Sequence, residues 1–522
     1  MNRLGPATES ALSTLAIIVV TGIALSVFTV VPSATVASPG QDRSDATTSA
    51  ITEDEAPGDG VTADDPVDAA PGRVPGSTTQ PHQGDSADPD TQPVDNPSEP
   101  TATNGNPQEQ SAACQAGNNG GQTDVGVTES QILLAATVVD DGPGASFLAP
   151  VRTAMLAKVN AVNRAGGICG RQLKLLLRND SWDAQRGQDF IQRFVEQEQV
   201  FALAVVPSSE GLRAADDYIE RERVPVVGTD GMLIHQYTNP WIWPVATSTI
   251  STMHIMAKEA FDRGAEHFGI VFDAKFHFGV EGAFAFNQAV KRLTGSDIPG
   301  FDPSLKSCQL RFCGIQPNAS TYAGDAQRFD EACYSTAPSC NFIAYLLEPD
   351  TAVSFIRSEA RTANTTHGYG LAQPLFNRHF AEQCKRICDG MRVWTGYRPP
   401  LEGFAQNPAM QEYINEIRRE SSTADVTNQF LQGGFVGMSL LVEALQQVGP
   451  ELTRDRLAAQ LDSMTFDSGL SSPLTWKPGA HFANLSAIAF EIKYSQGFNG
   501  WRQATDFLDD PWVGQDIPAG EG

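Results

Sequence analysis

The sequence predicts an α/β protein: two doubly wound parallel-sheet lobes joined by a multi-strand hinge, behind an N-terminal membrane segment and a disordered linker. Three observations predict it. Continuous apolar runs of strand length alternate with helix-period segments from about Asp124 to Trp512. That rhythm stops after Trp241–Val245 and starts again at Phe268. The first 120 residues share neither pattern. Strands apolar on both faces and separated by amphipathic helices belong in parallel sheets covered on both sides.

The elements follow in chain order. Gln131–Val139 is an apolar strand run, and Val151, Met155, Val159 and Val162 then recur at helical spacing up to Gly166-Gly167. Leu173–Leu177 is the second strand, and Phe190, Ile191, Phe194 and Val195 mark the second helix. Phe201–Val206 is a strand, Leu212, Ala215 and Ile219 mark one helix, and Val224–Val227 is a fourth strand. In the second half, strands are expected at Phe268–Phe272, Phe342–Leu347, Met391–Tyr397 and Ile488–Tyr494. Helices are expected through Phe286–Leu293, Phe355–Ile356, Met438–Val448 and Leu457–Met464. Residues 122–247 with 397–468 are read as one lobe, and 248–396 with 469–512 as the other.

Ahead of the lobes, Ala11–Val31 is an uncharged apolar run, and about 20 such residues suffice to span a bilayer. Small residues follow in SATVAS, so residues 1–38 read either as a retained signal anchor or as a cleaved signal peptide. Both place the rest of the chain outside the cytoplasm. Residues 39–121 read as a disordered acidic Pro-rich linker. Within it, 39–113 hold 11 prolines, no aromatic residue, and 15 acids against Arg43 and Arg73, so half of the chain's −26 charge sits there. Such a tract cannot bury enough apolar surface to offset its ordering entropy. A pI near 4.6 argues against nucleic acid, whose phosphates require clustered cations.

Ligands of open α/β sheets bind beyond the carboxyl ends of the strands. Those ends carry Asp140–Phe147, Pro207-Ser208-Ser209 and Thr229–Met232. The hydroxyls of Ser208 and Ser209, at a helix start, suit a carboxylate, although a plain cap is the simpler role for Ser208. Asp180 and Asp183 read as caps of the helix that follows, and Asp140 and Asp141 as loop-shaping residues. The sequence contains no phosphate-binding glycine loop and no Gly-x-Ser-x-Gly elbow. It also lacks a Cys-x-x-Cys pair, so neither catalysis nor a metal or other cofactor is expected. Eight cysteines in an exported chain point to disulfides, with 105 connectivities open. The close spacings are Cys308/Cys313, Cys333/Cys340 and Cys384/Cys388, which leaves Cys114 and Cys169. Cys169 lies in the turn from the first helix to the second strand, at the sheet end where the first strand begins. The flexible QAGNNGGQ stretch would let Cys114 reach it.

GVTESQILLAATVVDDGPGA, VNAVNRAGGICGRQLKLLLRNDSWDAQRGQDF and AADDYIERERVPVVG resemble the leucine/isoleucine/valine-binding solute receptors, the type I periplasmic binding proteins of ABC transporters. The resemblance spans about 124–510. It implies two lobes on a hinge, a small-molecule solute in the cleft, an ABC transporter permease as partner, a monomer, and neither catalysis nor a cofactor. Carried over by position, Ser208 would receive a ligand carboxylate and Gly231-Met232 would offer backbone contacts. Phe147 and Phe278 would pack on the ligand, and Gln373 would stand where an acid pairs with an ammonium. With Gln373 there, Glu348 or Asp230 would have to supply the charge, or else the ligand would be an amide or a carboxylic acid. The expected role is capture of a small carboxylate-bearing or amide-type molecule, branched-chain amino acid-like or related, for an ABC importer. A ligand-sensing ectodomain or co-receptor on the same fold is the alternative.

Overall fold

The computed structural model describes residue 114 and residues 118–302, 304, 307–359, 368–401, 403–495 and 498–517. The apolar run and most of the acidic linker lie outside these residues. No helix among the described residues is long and apolar enough to cross a membrane.

Five parallel strands form the first sheet: β1 (Gln131–Val138), β2 (Gln172–Asn179), β3 (Ala202–Ala204), β4 (Val226–Thr229) and β5 (Ile242–Pro244), in the order 2-1-3-4-5. The second sheet begins with β6 (Phe268–Asp273), the hairpin β7 (Cys308–Gln309) and β8 (Phe312–Ile315), β9 (Phe342–Leu346), β10 (Tyr369–Leu371) and β11 (Arg392–Thr395). Its parallel part runs β8-β6-β9-β10-β11, the same winding as the first sheet. After a short hairpin of β12 (Thr465–Phe466) and β13 (Leu474–Thr475), the long β14 (Ser486–Ser495) adds antiparallel to β11. β15 (Phe498–Gln503) and β16 (Leu508–Asp509) then pair with β14.

Close packing explains the glycine-rich motif. Gly167 has φ +81°, and a Cβ there would lie 2.0 Å from the Arg171 carbonyl oxygen. The Arg171 guanidinium is fully buried and donates to the carbonyls of Thr128 (2.8 Å), Gly121 (3.0 Å) and Pro450 (3.2 Å). One side chain therefore ties the start of the fold to the far end of the long helix Gln429–Val448. That helix lies on β4 because Gly228 and Gly437 meet backbone to backbone; a Cβ on Gly228 would fall 2.4 Å from Gly437 Cα. The cysteines pair as Cys114–Cys169, Cys308–Cys313, Cys333–Cys340 and Cys384–Cys388.

The chain passes between the sheets three times, and the passages meet at one place. Thr247 bridges Asn484. Asn484 Nδ2 donates to the carbonyls of Val245 and Gly396, both at 3.4 Å, and Thr247 Oγ1 donates to Ser486 O at 2.6 Å. The third passage therefore lies near 484–486, later than the sequence reading at 468/469. Residues 476–481 stay on the first lobe because Trp476 Nε1 donates to Pro244 O (2.9 Å) and the His481 amide to Tyr237 O (2.8 Å). Two further differences have local causes. The helix expected across Leu212–Ile219 is two helices, Ser209–Ala214 and Asp216–Glu222, broken at Ala215. β10 and the β7–β8 hairpin are too short to show a period.

Candidate functional site

The loops after β4, β5, β6, β9 and β10 converge on the hinge and enclose an apolar compartment with a polar edge. Met232, Met253, Phe278, Leu346 and Phe430 supply the apolar wall; Asp230, Thr247, Thr249, Thr252 and Gln373 supply the polar one. Both lobes contribute, and so do the first turns of two long helices, Thr249–Asp262 and Gln429–Val448. A second compartment lies on the first-lobe side, against Val151, Tyr397 and Gly433. Asp230, Gln373 and Phe430 border both. The first compartment is about 20 Å³, on the order of one water molecule, so the lobes are closed.

Contacts from lobe to lobe hold that closure. Trp182, after β2, stacks on Phe276 at 4.1 Å and lies 5.9 Å from Phe278. The Glu210 carboxylate reaches the first turn of the helix His277–Thr294, accepting the His277 amide at 2.8 Å and meeting Nδ1 at 2.6 Å. In return, Glu281 Oε2 accepts the Ile234 amide at 2.9 Å. Aromatic stacking and carboxylates on helix N-termini are both favourable.

The expected ligand residues divide into two groups. Met232, Phe278 and Gln373 line the compartment. Phe147 stands behind it, edge-on to Phe430 at 4.9 Å and to Trp182 at 5.6 Å. Ser209 Oγ accepts Trp182 Nε1 at 3.1 Å and lies 3.6 Å from Met232 Sδ. The backbone of Gly231 is already paired, its N–H with Gln236 Oε1 (3.0 Å) and its carbonyl with the Tyr237 hydroxyl (2.9 Å). Ser208 is fully buried and makes no side-chain cap. Its hydroxyl sits beside the Asp180 carboxyl, which burial pushes up to about 6 against the opposing pull of that hydroxyl. Glu348 caps the helix Pro349–Ser358, accepting the Thr351 and Asp350 amides at 2.6 and 3.0 Å. His277 meets Glu210. Asp183 caps its helix, and Asp180 accepts the Trp182 amide.

Sequence reasoning missed Trp182, Phe430, Tyr397 and the Thr247–Met253 run. The signal for the last was the hydroxyl-rich Thr247-Ser248-Thr249 at a helix start; the buried aromatics gave no local signal. Burial pushes the Asp230 carboxyl up to about 7, against the amide of Met232 and the side chain of Gln236. Among the described residues no group of three or more His, Cys, Asp or Glu could hold a metal ion.

The periplasmic binding protein family model matches residues 131–498. The chain belongs to that family, whose members bind solutes outside the cytoplasm. No curated protein matches the sequence. Among solved structures, a possible leucine/isoleucine/valine-binding protein from Rhodopirellula baltica is 17% identical with TM-score 0.61, covering 72% of this chain and 96% of its own. A branched-chain amino acid ABC transporter protein from Thermus thermophilus with bound valine is 13% identical with TM-score 0.62, covering 73% and 97%. A solute-binding protein from R. palustris in complex with 4-hydroxybenzoate is 14% identical with TM-score 0.61, covering 73% and 98%. The shared fold is that of the leucine/isoleucine/valine-binding type.

Proposed function

We propose that this protein is an extracytoplasmic receptor that captures a small solute between its lobes and delivers it to an ABC importer. The observation that carries the proposal is a compartment walled by both lobes and bordered by the three-passage hinge. A ligand held by both walls stabilises the closed form by its extra contacts, and closure is then a signal a permease can read. Entry of an amino acid-sized solute requires the lobes to part, since about 20 Å³ holds only about one water.

The proposed ligand is a small branched-chain amino acid, amide or carboxylate, with its apolar body on Met232, Met253, Phe278 and Leu346. Gln373 and Asp230 lie at its polar end, and the helix start at Thr249 faces a carboxylate if one is present. Ser208, Ser209, Gly231, Phe147 and Glu348 act from behind this wall. The apolar run and acidic linker would hold the receptor at the membrane. A thermal-shift screen of the exported chain tests the reading against amino acids, amides, and aliphatic and aromatic acids. At least one should raise the melting temperature in a concentration-dependent way; a flat response to every class counts against solute capture.

A further inference from the structure

The second lobe carries a cavity of about 410 Å³ at the amino ends of β6, β8 and β9, the end of that sheet away from the cleft. Small-molecule sites run to roughly 300–1,000 Å³. Its floor is apolar, with Phe268, Val290 and Ile298. Leu310, on the rim at the β7–β8 turn, is 58% exposed, more than any other large apolar side chain among the described residues. Beside it Arg311 lines the same cavity and is only 6% exposed. Its Nε donates to Ala332 O at 3.0 Å, and its Nη2 to Thr336 O at 3.3 Å and to Pro338 O. The remaining nitrogen, Nη1, has no hydrogen-bond partner among the described residues. The bonded carbonyls lie at and beyond the end of the helix Ala323–Tyr334, so the guanidinium also caps that helix. Carbonyl dipoles supply only a fraction of a countercharge, however. Two acids border the cavity, and neither pairs with Arg311: Asp297 accepts Asn287 Nδ2 at 2.8 Å and Lys291 Nζ at 3.0 Å, and Glu266 is exposed. Burial pulls the guanidinium below its ordinary pKa, and no neighbouring carboxylate raises it again. A buried charge ordinarily has an ionic partner.

We propose that this cavity is a second ligand site, outside the cleft, for a small amphipathic monocarboxylate, which sets its carboxylate on Arg311 Nη1 and its apolar body on the floor beneath Leu310. The proposal goes beyond the solute-capture reading and does not depend on it. One molecule meets both unmet needs of the cavity: a full negative charge for the guanidinium, and cover for the exposed Leu310 and the apolar floor. A charge-assisted bond from Arg to a carboxylate is stronger than a neutral one, so an alcohol or amine with the same body fits less well, the amine least because it brings like charge. The walls are already braced. Cys308–Cys313 closes the hairpin that carries Leu310 and Arg311, and Cys333–Cys340 closes the loop that carries Thr336 and Pro338. The Arg311 amide also donates to Pro299 O at 3.0 Å. Binding therefore orders little of the protein, which lowers its entropic cost.

The test is hydrogen exchange on the exported chain, titrated with octanoate, octan-1-ol and octylamine at up to millimolar concentration. Peptides covering 296–313 and 332–340 report this cavity, and peptides covering 228–234 and 274–282 report the cleft, so the two sites are read apart. Octanoate should slow exchange at 296–313 and 332–340, with an affinity about tenfold or more above that of the alcohol or the amine. Leu310→Asp, at an exposed position, sets a carboxylate on the rim and should weaken that protection about tenfold. Arg311→Met should abolish the preference for the acid over the alcohol; if it fails to fold, Leu310→Asp carries the test. Octanoate that protects only the cleft peptides overturns the second site and leaves solute capture standing. So does protection at 296–313 that ignores Leu310→Asp, or that the alcohol matches. No protection at 296–313 or 332–340 by octanoate overturns it too, whatever the cleft binds.

Discussion

Replacing Glu210 by Gln should loosen the closed cleft. The Glu210 side chain is only 8% exposed, and it crosses from one lobe to bond both the amide and the ring of His277. That amide is among the donors a helix start leaves unpaired, and the negative charge gains a further ~0.3–1 kcal/mol from the helix dipole. Hydrogen bonds to a charged group contribute ~1.5–3 kcal/mol. The His277 side chain is 36% exposed, so screening brings the ring contact to the low end of that range. Gln can still accept the amide but loses the charge. The closed form should therefore lose on the order of 1.5–3 kcal/mol, a shift of roughly 10- to 150-fold toward opening. Hydrogen exchange reads this directly, because the His277 amide is itself one of the bonds. Peptides covering 274–282 should exchange about tenfold faster or more in the variant, while peptides in β1 and β6 stay unchanged. Unaltered protection at 274–282 would show that Glu210 does not hold the lobes together.

Three further perturbations probe the bridges and buried carboxyls of the fold. Cys114→Ser should lower the melting temperature, since a bridge with sequence separation 55 removes up to about 4 kcal/mol of chain entropy from the unfolded state; an unchanged melt under non-reducing conditions refutes it. Stability should fall as pH rises from about 5 to 8. Burial raises Asp180 to about 6 and Asp273 to about 7, so the folded state holds protons there that the unfolded chain has released. His254 adds to this trend: burial pushes it down, but its bonds to Asp510 and Asp516 outweigh that and raise it, so its contribution is present below its unfolded pKa and lost as pH rises through the folded one. Melting curves should show the decline and Asp273→Asn should flatten it; a melting temperature that climbs across this range contradicts the assignment. Asp516→Ala should destabilise the second lobe by roughly 3 kcal/mol, because Asp516 holds both His254 (2.9 Å) and Arg292; equal denaturant midpoints for variant and wild type would refute that.

The parallel strands and their helices were legible because burial on both faces writes continuous apolar runs, as in QILLAATV of β1 and FGIVFD of β6. The third chain passage was misjudged because Trp476 and His481 reach the first lobe through tertiary contacts that leave no period in sequence. At the site, Met232, Phe278 and Gln373 were expected from the family resemblance, carried over by position, and all three line the compartment. Glu348 and Gly231 could not be separated from ligand roles by sequence alone: their bonds to Thr351 and Gln236 are local capping and turn chemistry that looks the same on a string of residues. Trp182 sits in the quoted NDSWD stretch, yet its partner Phe276 lies 94 positions away on the other lobe, a distance no local pattern bridges.

Solute is proposed to bind between the lobes, at the hinge-side compartment. A crystal structure of the exported chain soaked or grown with a solute found in the thermal-shift screen tests it most directly. One solute molecule should touch Asp230 and Met232 from one lobe and Phe278 and Gln373 from the other, with Phe430 displaced toward Phe147. Density for the solute on an outer face of either lobe, with the compartment still closed around Phe430, would contradict it.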